Sequence, residues 1–144
     1  MKSHAMQTRA ALRLMLALVG MVSIAGHPAS ADPVVIVNLK NHEALSSTVI
    51  KQIFLRRLEA FPSGAAVVPV ESNESRKEFS DKFLKMTPES LNAYWARLLF
   101  TGESKPLKVF ASDDDVINFV RDNQFAIGYI DSAKAVSSVR VLQQ

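Results

Sequence analysis

Apolar residues along the chain fall into two alternating rhythms. PVVIVNL, 33–39, is a continuous β-branched run, the pattern of a strand covered on both faces. AAVVPV, 65–70, is a second run; Pro69 lacks an N–H, which predicts that this strand ends there or lies at a sheet edge. KPLKVFA, 105–111, predicts a short extended piece. FAIGYI, 125–130, interrupted by Gly128, and the alternating SVRVL, 138–142, predict two further strands. Between these runs the period becomes helical. Ser46 or Ser47 caps a helix that carries Val49, Ile50, Ile53 and Phe54 on one stripe, and Pro62 with Gly64 marks the loop after it. A second helix is expected from Ser75 to Met86, with Phe79, Phe83 and Met86 facing inward. Thr87-Pro88-Glu89 combines an N-cap, a proline at the first helical position and an acid in the first turn. Leu91, Tyr94, Trp95, Leu98 and Leu99 follow on one face, and the helix ends at Phe100-Thr101-Gly102. Ser112 opens a last helix carrying Val116, Ile117, Phe119 and Val120.

Strands alternating with helices predict an α/β fold, a three-layer sandwich with a mixed or mostly parallel sheet. The first 31 residues stand apart from this pattern. Lys2, Arg9 and Arg13 precede an uncharged run from Leu14 to Ala25, and Ala29-Ser30-Ala31 is a small-residue cut site. This is the layout of a secretory signal peptide, 1–31, with an apolar centre too short for a comfortable membrane span. Residues 32–144 are then one domain, long enough for a single core.

The division changes the meaning of the charge. The chain carries 17 basic and 14 acidic residues, and the excess of three lies entirely in the leader. The remainder balances at 14 against 14, which gives no support to a nucleic-acid partner or to membrane insertion after cleavage. The chain has no cysteine, so it has no disulfide, no thiol nucleophile and no lipoprotein attachment site. The expected location is periplasmic or secreted.

Catalytic and metal chemistry find little support. Beyond the leader the only histidine is His42, in a polar turn, with no patterned second ligand and no Ser-His-Asp set. No G-x-S-x-G elbow occurs. Asp113-Asp114-Asp115 lacks the glycine and distal glutamate of a calcium loop, and reads as helix capping, with Ser112 as cap and Asp115 at the third helical position. No cofactor, no metal and no enzyme activity are expected. Trp95 reads as core at its helical spacing.

The stretch VVPVESNESRKEF, 67–79, carries more chemistry. A strand there hands over to a helix, whose first N–H groups have no partner and hold partial positive charge. Such a place suits an anion. Asn73 as N-cap and Glu74 at the first helical position would instead make it a helix start that supplies its own charge, while Ser75 and Arg76 remain able to donate to an oxyanion.

The order VVIVN, SSTVIKQIFLRR, VVPVESNESRKEF, LNAYWARLLFTG, FAIGYID resembles the second lobe of the periplasmic phosphate-binding proteins of ABC importers, over about Pro33 to Leu142. It is similar to the small single-lobe phosphate ABC transporter substrate-binding-like proteins. The resemblance implies one lobe of a type 2 periplasmic binding protein, which in full-length relatives closes on its ligand by hinge motion. It also implies a phosphate turn of serine, glycine and threonine preceded by an arginine. In register with Phe79 that turn falls on Asn73, Glu74 and Ser75. Only Ser75 keeps a hydroxyl, Glu74 replaces the glycine, and the arginine position falls near Pro69, with Arg76 as the substitute. The expected function is therefore weak binding of phosphate or a similar oxyanion through Ser75, Arg76 and the N–H groups after Asn73. Ser46 and Ser47 are secondary candidates, and a homodimer could rebuild the cleft. The alternative is a ligand-free interaction module binding another envelope protein.

Overall fold

The computed structural model describes residues 32–142, and the expected signal peptide, 1–31, lies outside them. Five strands form one sheet: β1 (Pro33–Asn38), β2 (Val68–Ser72), β3 (Lys108–Phe110), β4 (Ala126–Asp131) and β5 (Val139–Leu142), in the order β3-β2-β4-β1-β5. β1 pairs antiparallel with both β4 and β5, whereas β2 runs parallel to β3 and to β4. The sheet is thus mixed, with β1 alone running against the other four strands.

Alternating side chains of the central strands feed two cores. Val35, Val37, Ile127 and Tyr129 pack under α1 (Ser47–Phe54), α2 (Arg76–Phe79) and α3 (Pro88–Thr101). Ile36, Val70, Ile130 and Val139 pack under α4 (Asp113–Asp122), which presents Val116, Ile117 and Val120. This double coverage explains the unbroken apolar run of β1. Three of the predicted caps form: Ser46 Oγ accepts from the Val49 N–H, Thr87 Oγ1 from Ser90 and Ser112 Oγ from Asp115. Gly102 closes α3 in the left-handed conformation, φ 71°.

Gly128 has a packing reason. A Cβ there would stand 2.6 Å from Val116 Cγ1 and 3.2 Å from Val70 Cγ2, so only glycine lets α4 seat on β4. Gly128→Ala is expected to cost about 1–3 kcal/mol through overpacking. The check is a lower denaturation midpoint with an unchanged m value.

Three expectations need correction, the first being Leu99, which faces solvent while Leu91, Trp95 and Leu98 face the core. The helix foreseen from Ser75 to Met86 is two pieces: α2 has four residues, and a π-helical turn, Ser80–Leu84, follows and closes on Lys85 at φ 57°. Inward residues four and three apart fit either kind of turn, so the pattern could not separate them. Pro69 neither ends β2 nor marks an edge strand; β2 is interior and continues to Ser72. Proline is tolerated because β3 pairs only with Val70, Glu71 and Ser72, which leaves its missing N–H without a neglected partner on that side.

Both ends of the described chain lie at the end of the sheet where β2, β3 and β4 finish. Pro33 pairs with Asp131, the Ser132 N–H donates to the Asp32 carbonyl, and Leu142 pairs with Val35.

Candidate functional site

At that end of the sheet the turn after β2, the start of α4 and the end of β4 meet around Asp113, which is 1 % exposed. The Ser72 hydroxyl donates to one of its carboxylate oxygens. The Ser75 hydroxyl lies 2.9 Å from both oxygens, and the Asp131 N–H donates to Oδ2 at 3.0 Å. One buried carboxylate therefore ties three segments together. Above it, Glu74 Oε2 accepts from the Asp113 N–H at 2.9 Å and from Lys134 Nζ at 2.8 Å. Lys134, with help from the Asp113 N–H, holds the Glu74 carboxyl below the usual range, and Glu74 in turn raises Lys134.

Glu74 thus serves a helix start, but not the one its sequence position suggests. It supplies negative charge to the N-terminus of α4 rather than to its own helix. Asn73 is likewise not an N-cap: its N–H donates to the Phe110 carbonyl and extends the β2–β3 pairing, so the helix starts only after Ser75. Ser75, at the cap position, makes no side-chain cap bond because its hydroxyl is committed to Asp113. Neither the Glu74 nor the Ser75 side chain offers a donor to an incoming anion in this arrangement.

Asn73 and Arg76 belong to a different wall. They line a pocket of about 250 Å³ between α2 and the start of α3, together with Lys77, Ser80 and Asn92. Leu91 and Pro88 complete its lining, and no carboxylate takes part in it. Lys77 pairs with Asp81 at 3.0 Å on the exposed side. Behind Arg76 lies Glu71, buried, with Oε2 3.8 Å from Arg76 Nε, beyond hydrogen-bond reach. Burial pushes the Glu71 carboxyl up, and the Arg76 charge pulls it back only in part. The Tyr129 hydroxyl is buried without a hydrogen-bond partner among the described residues, and is raised chiefly by burial and then by the charge on Glu71.

The structure does not bring Ser46 and Ser47 to this pocket. Ser46 caps α1, and Ser47 lines a separate depression of about 350 Å³ with Thr48, Lys51, Lys82 and Lys85. His42 is exposed and lines a larger, open depression of about 490 Å³ with Lys40, Gln124 and Phe125, formed by the loop after β1 and the loop before β4. Among the described residues no acid, cysteine and histidine cluster could hold a metal ion, and no helix is long and apolar enough to cross a membrane.

Several residues of the site are missed by sequence reasoning. Lys77 and Ser80 follow Arg76 closely and could have been suspected from the helical spacing of Asn73, Lys77 and Ser80. Asn92 and Lys134 come from distant segments, and no local signal marks them.

No family model matches the sequence, and no curated protein matches it. Solved structures do share the fold. A protein assigned as a phosphate ABC transporter substrate-binding protein, with phosphate bound, from Clostridium perfringens superposes with a TM-score of 0.62 at 18% identity, covering 78% of this chain and 44% of that one. An ABC-type phosphate transport receptor from Vibrio cholerae gives 0.57 at 15% identity, over 78% and 46%. PstS from Borrelia burgdorferi gives 0.56 at 14% identity, over 78% and 47%. The chain spans less than half the length of these proteins, and its α/β fold is that of a single lobe of such a receptor.

Proposed function

We propose that this chain is an exported, substrate-binding-like protein that holds phosphate or a similar oxyanion weakly in the pocket of Asn73, Arg76, Lys77, Ser80 and Asn92. The supporting observation is the composition of that wall: two cations and three hydrogen-bonding side chains, with no carboxylate among them. A guanidinium and an ammonium beside neutral donors are the groups that recognise oxyanions. The likeness to phosphate receptors adds to this reading at the level of fold. An extracytoplasmic location, periplasmic or secreted, goes with it, and a binding rather than an enzymatic role accords with those neighbours.

Weak binding follows from openness. Tight small-ligand sites bury most of the ligand, and here one lobe provides one wall. A second copy of the chain facing the pocket is the proposed route to a closed cleft. Calorimetric titration of phosphate, with sulfate as control, is expected to give a dissociation constant on the order of 1 mM. Arg76→Ala is expected to weaken it at least about tenfold, roughly the 1.4 kcal/mol that a charge-assisted contact contributes. Unchanged affinity in that variant overturns the pocket assignment.

A second reading, a ligand-free interaction module for another envelope protein, rests on a different observation. Phe100 is 93% exposed beside the exposed Leu99 at the end of α3. A folded sample that gives no heat with either anion decides for this reading.

A further inference from the structure

Anion binding at the Arg76 pocket brings a second group into play, one that the pocket itself does not contain. Glu71 is only 4% exposed, sits on an interior strand, and has Arg76 as its ion-pair partner among the described residues. That pairing is loose, 3.8 Å from Nε to Oε2. Arg76 is shared: the same residue also lines the pocket.

We infer that Glu71 couples anion binding at this pocket to the uptake of a proton, so that the protein takes its ligand as an anion together with a proton. This rests on the reading of the pocket as an oxyanion site.

The electrostatics fix the direction. Without ligand, the Arg76 charge favours the ionised Glu71 against the cost of burial. A bound oxyanion neutralises Arg76 and adds its own negative field, and both effects disfavour a second buried negative charge. Glu71 therefore holds a proton more tightly in the bound state than in the free state. The gain in affinity is fully present below the free-state pKa and is lost as pH rises through the bound-state pKa, while proton uptake on binding is greatest between the two. By linkage, ligand affinity rises as pH falls through that window. From α2 Glu71 faces Arg76, and from β4 the neutral Tyr129, whose hydroxyl feels both charges and has no hydrogen-bond partner among the described residues. Asp113, from α4, is a further carboxylate acting on Tyr129, and it is held by Ser72, Ser75 and Asp131. Lys77, the other cation of the pocket, is already paired with Asp81.

The test uses sulfate, which takes up no proton near neutrality, titrated into the purified protein in two buffers of different ionisation enthalpy. Measurements run from about pH 5 to about pH 8. The expected result is net uptake of up to about one proton per sulfate, with affinity rising by at most about tenfold per pH unit as pH falls. Glu71→Gln, which keeps the shape of the side chain, is expected to bind with a flat pH profile and no buffer-dependent heat. Phosphate serves as a second probe, because its own proton equilibrium is common to both proteins and cancels in their difference. Wild-type binding with no proton uptake, or equal uptake in Glu71→Gln, overturns the coupling and leaves the pocket standing. Absence of binding by either anion overturns the pocket and the coupling together. The wild-type buffer dependence alone decides the matter should the variant fail to fold.

Discussion

Asp113→Ala is expected to lose about 3–5 kcal/mol of stability, a large share of what a domain of this size possesses. The carboxylate accepts from two buried serine hydroxyls and from a part-buried backbone N–H, and is itself closed to solvent. Removing it leaves those donors without an acceptor, and each buried unsatisfied group costs about 1–3 kcal/mol. Three segments separate in consequence: the turn after β2, the start of α4 and the end of β4. Asp113→Asn keeps one acceptor oxygen and is expected to lose roughly half as much. Urea denaturation of both variants checks this; an unfolding free energy for Asp113→Ala within about 1 kcal/mol of wild type contradicts it.

Phe79→Ala is the second large effect, at about 3–5 kcal/mol. Phe79 is fully buried, stacked on Tyr129 with ring centroids 3.9 Å apart and planes 6° apart. It also stacks on Phe83 and meets Phe54 edge-on, each at 4.9 Å. Its removal leaves a cavity among three aromatic rings that cannot all collapse inward. The effect reaches the pocket, because a helix of four residues has no stability of its own and α2 is anchored by this side chain. Denaturation and phosphate titration on the same variant are expected to fall together. Lost stability with unchanged affinity would detach Arg76 from that anchor.

The sequence made the architecture readable where one face or stripe had to be buried. The continuous run of β1, the stripe of α1, and the caps at Ser46, Thr87 and Ser112 all recur in the structure, because each follows from burial or from orphan N–H groups near in sequence. The candidate site was readable only as an address. Asn73, Glu74, Ser75 and Arg76 are adjacent polar residues at a strand-to-helix turn, but adjacency hides direction. Glu74 and Ser75 turn to Asp113 and Lys134, 39 and 60 residues away at the two Glu74 contacts, whereas Asn73 and Arg76 face a pocket completed by Asn92. Long-range pairing decides which neighbour faces which way, and no local pattern encodes it. Pro69 failed for the same reason: its tolerance depends on where β3 begins to pair.

The most direct test of the account is a map of backbone amide NMR shifts during a phosphate titration of the isotope-labelled protein. Saturable shifts are expected, concentrated at Asn73, Arg76, Lys77, Ser80 and Asn92 and lost in Arg76→Ala. Shifts concentrated instead at Asp113 and Lys134, or none at millimolar phosphate, would contradict it.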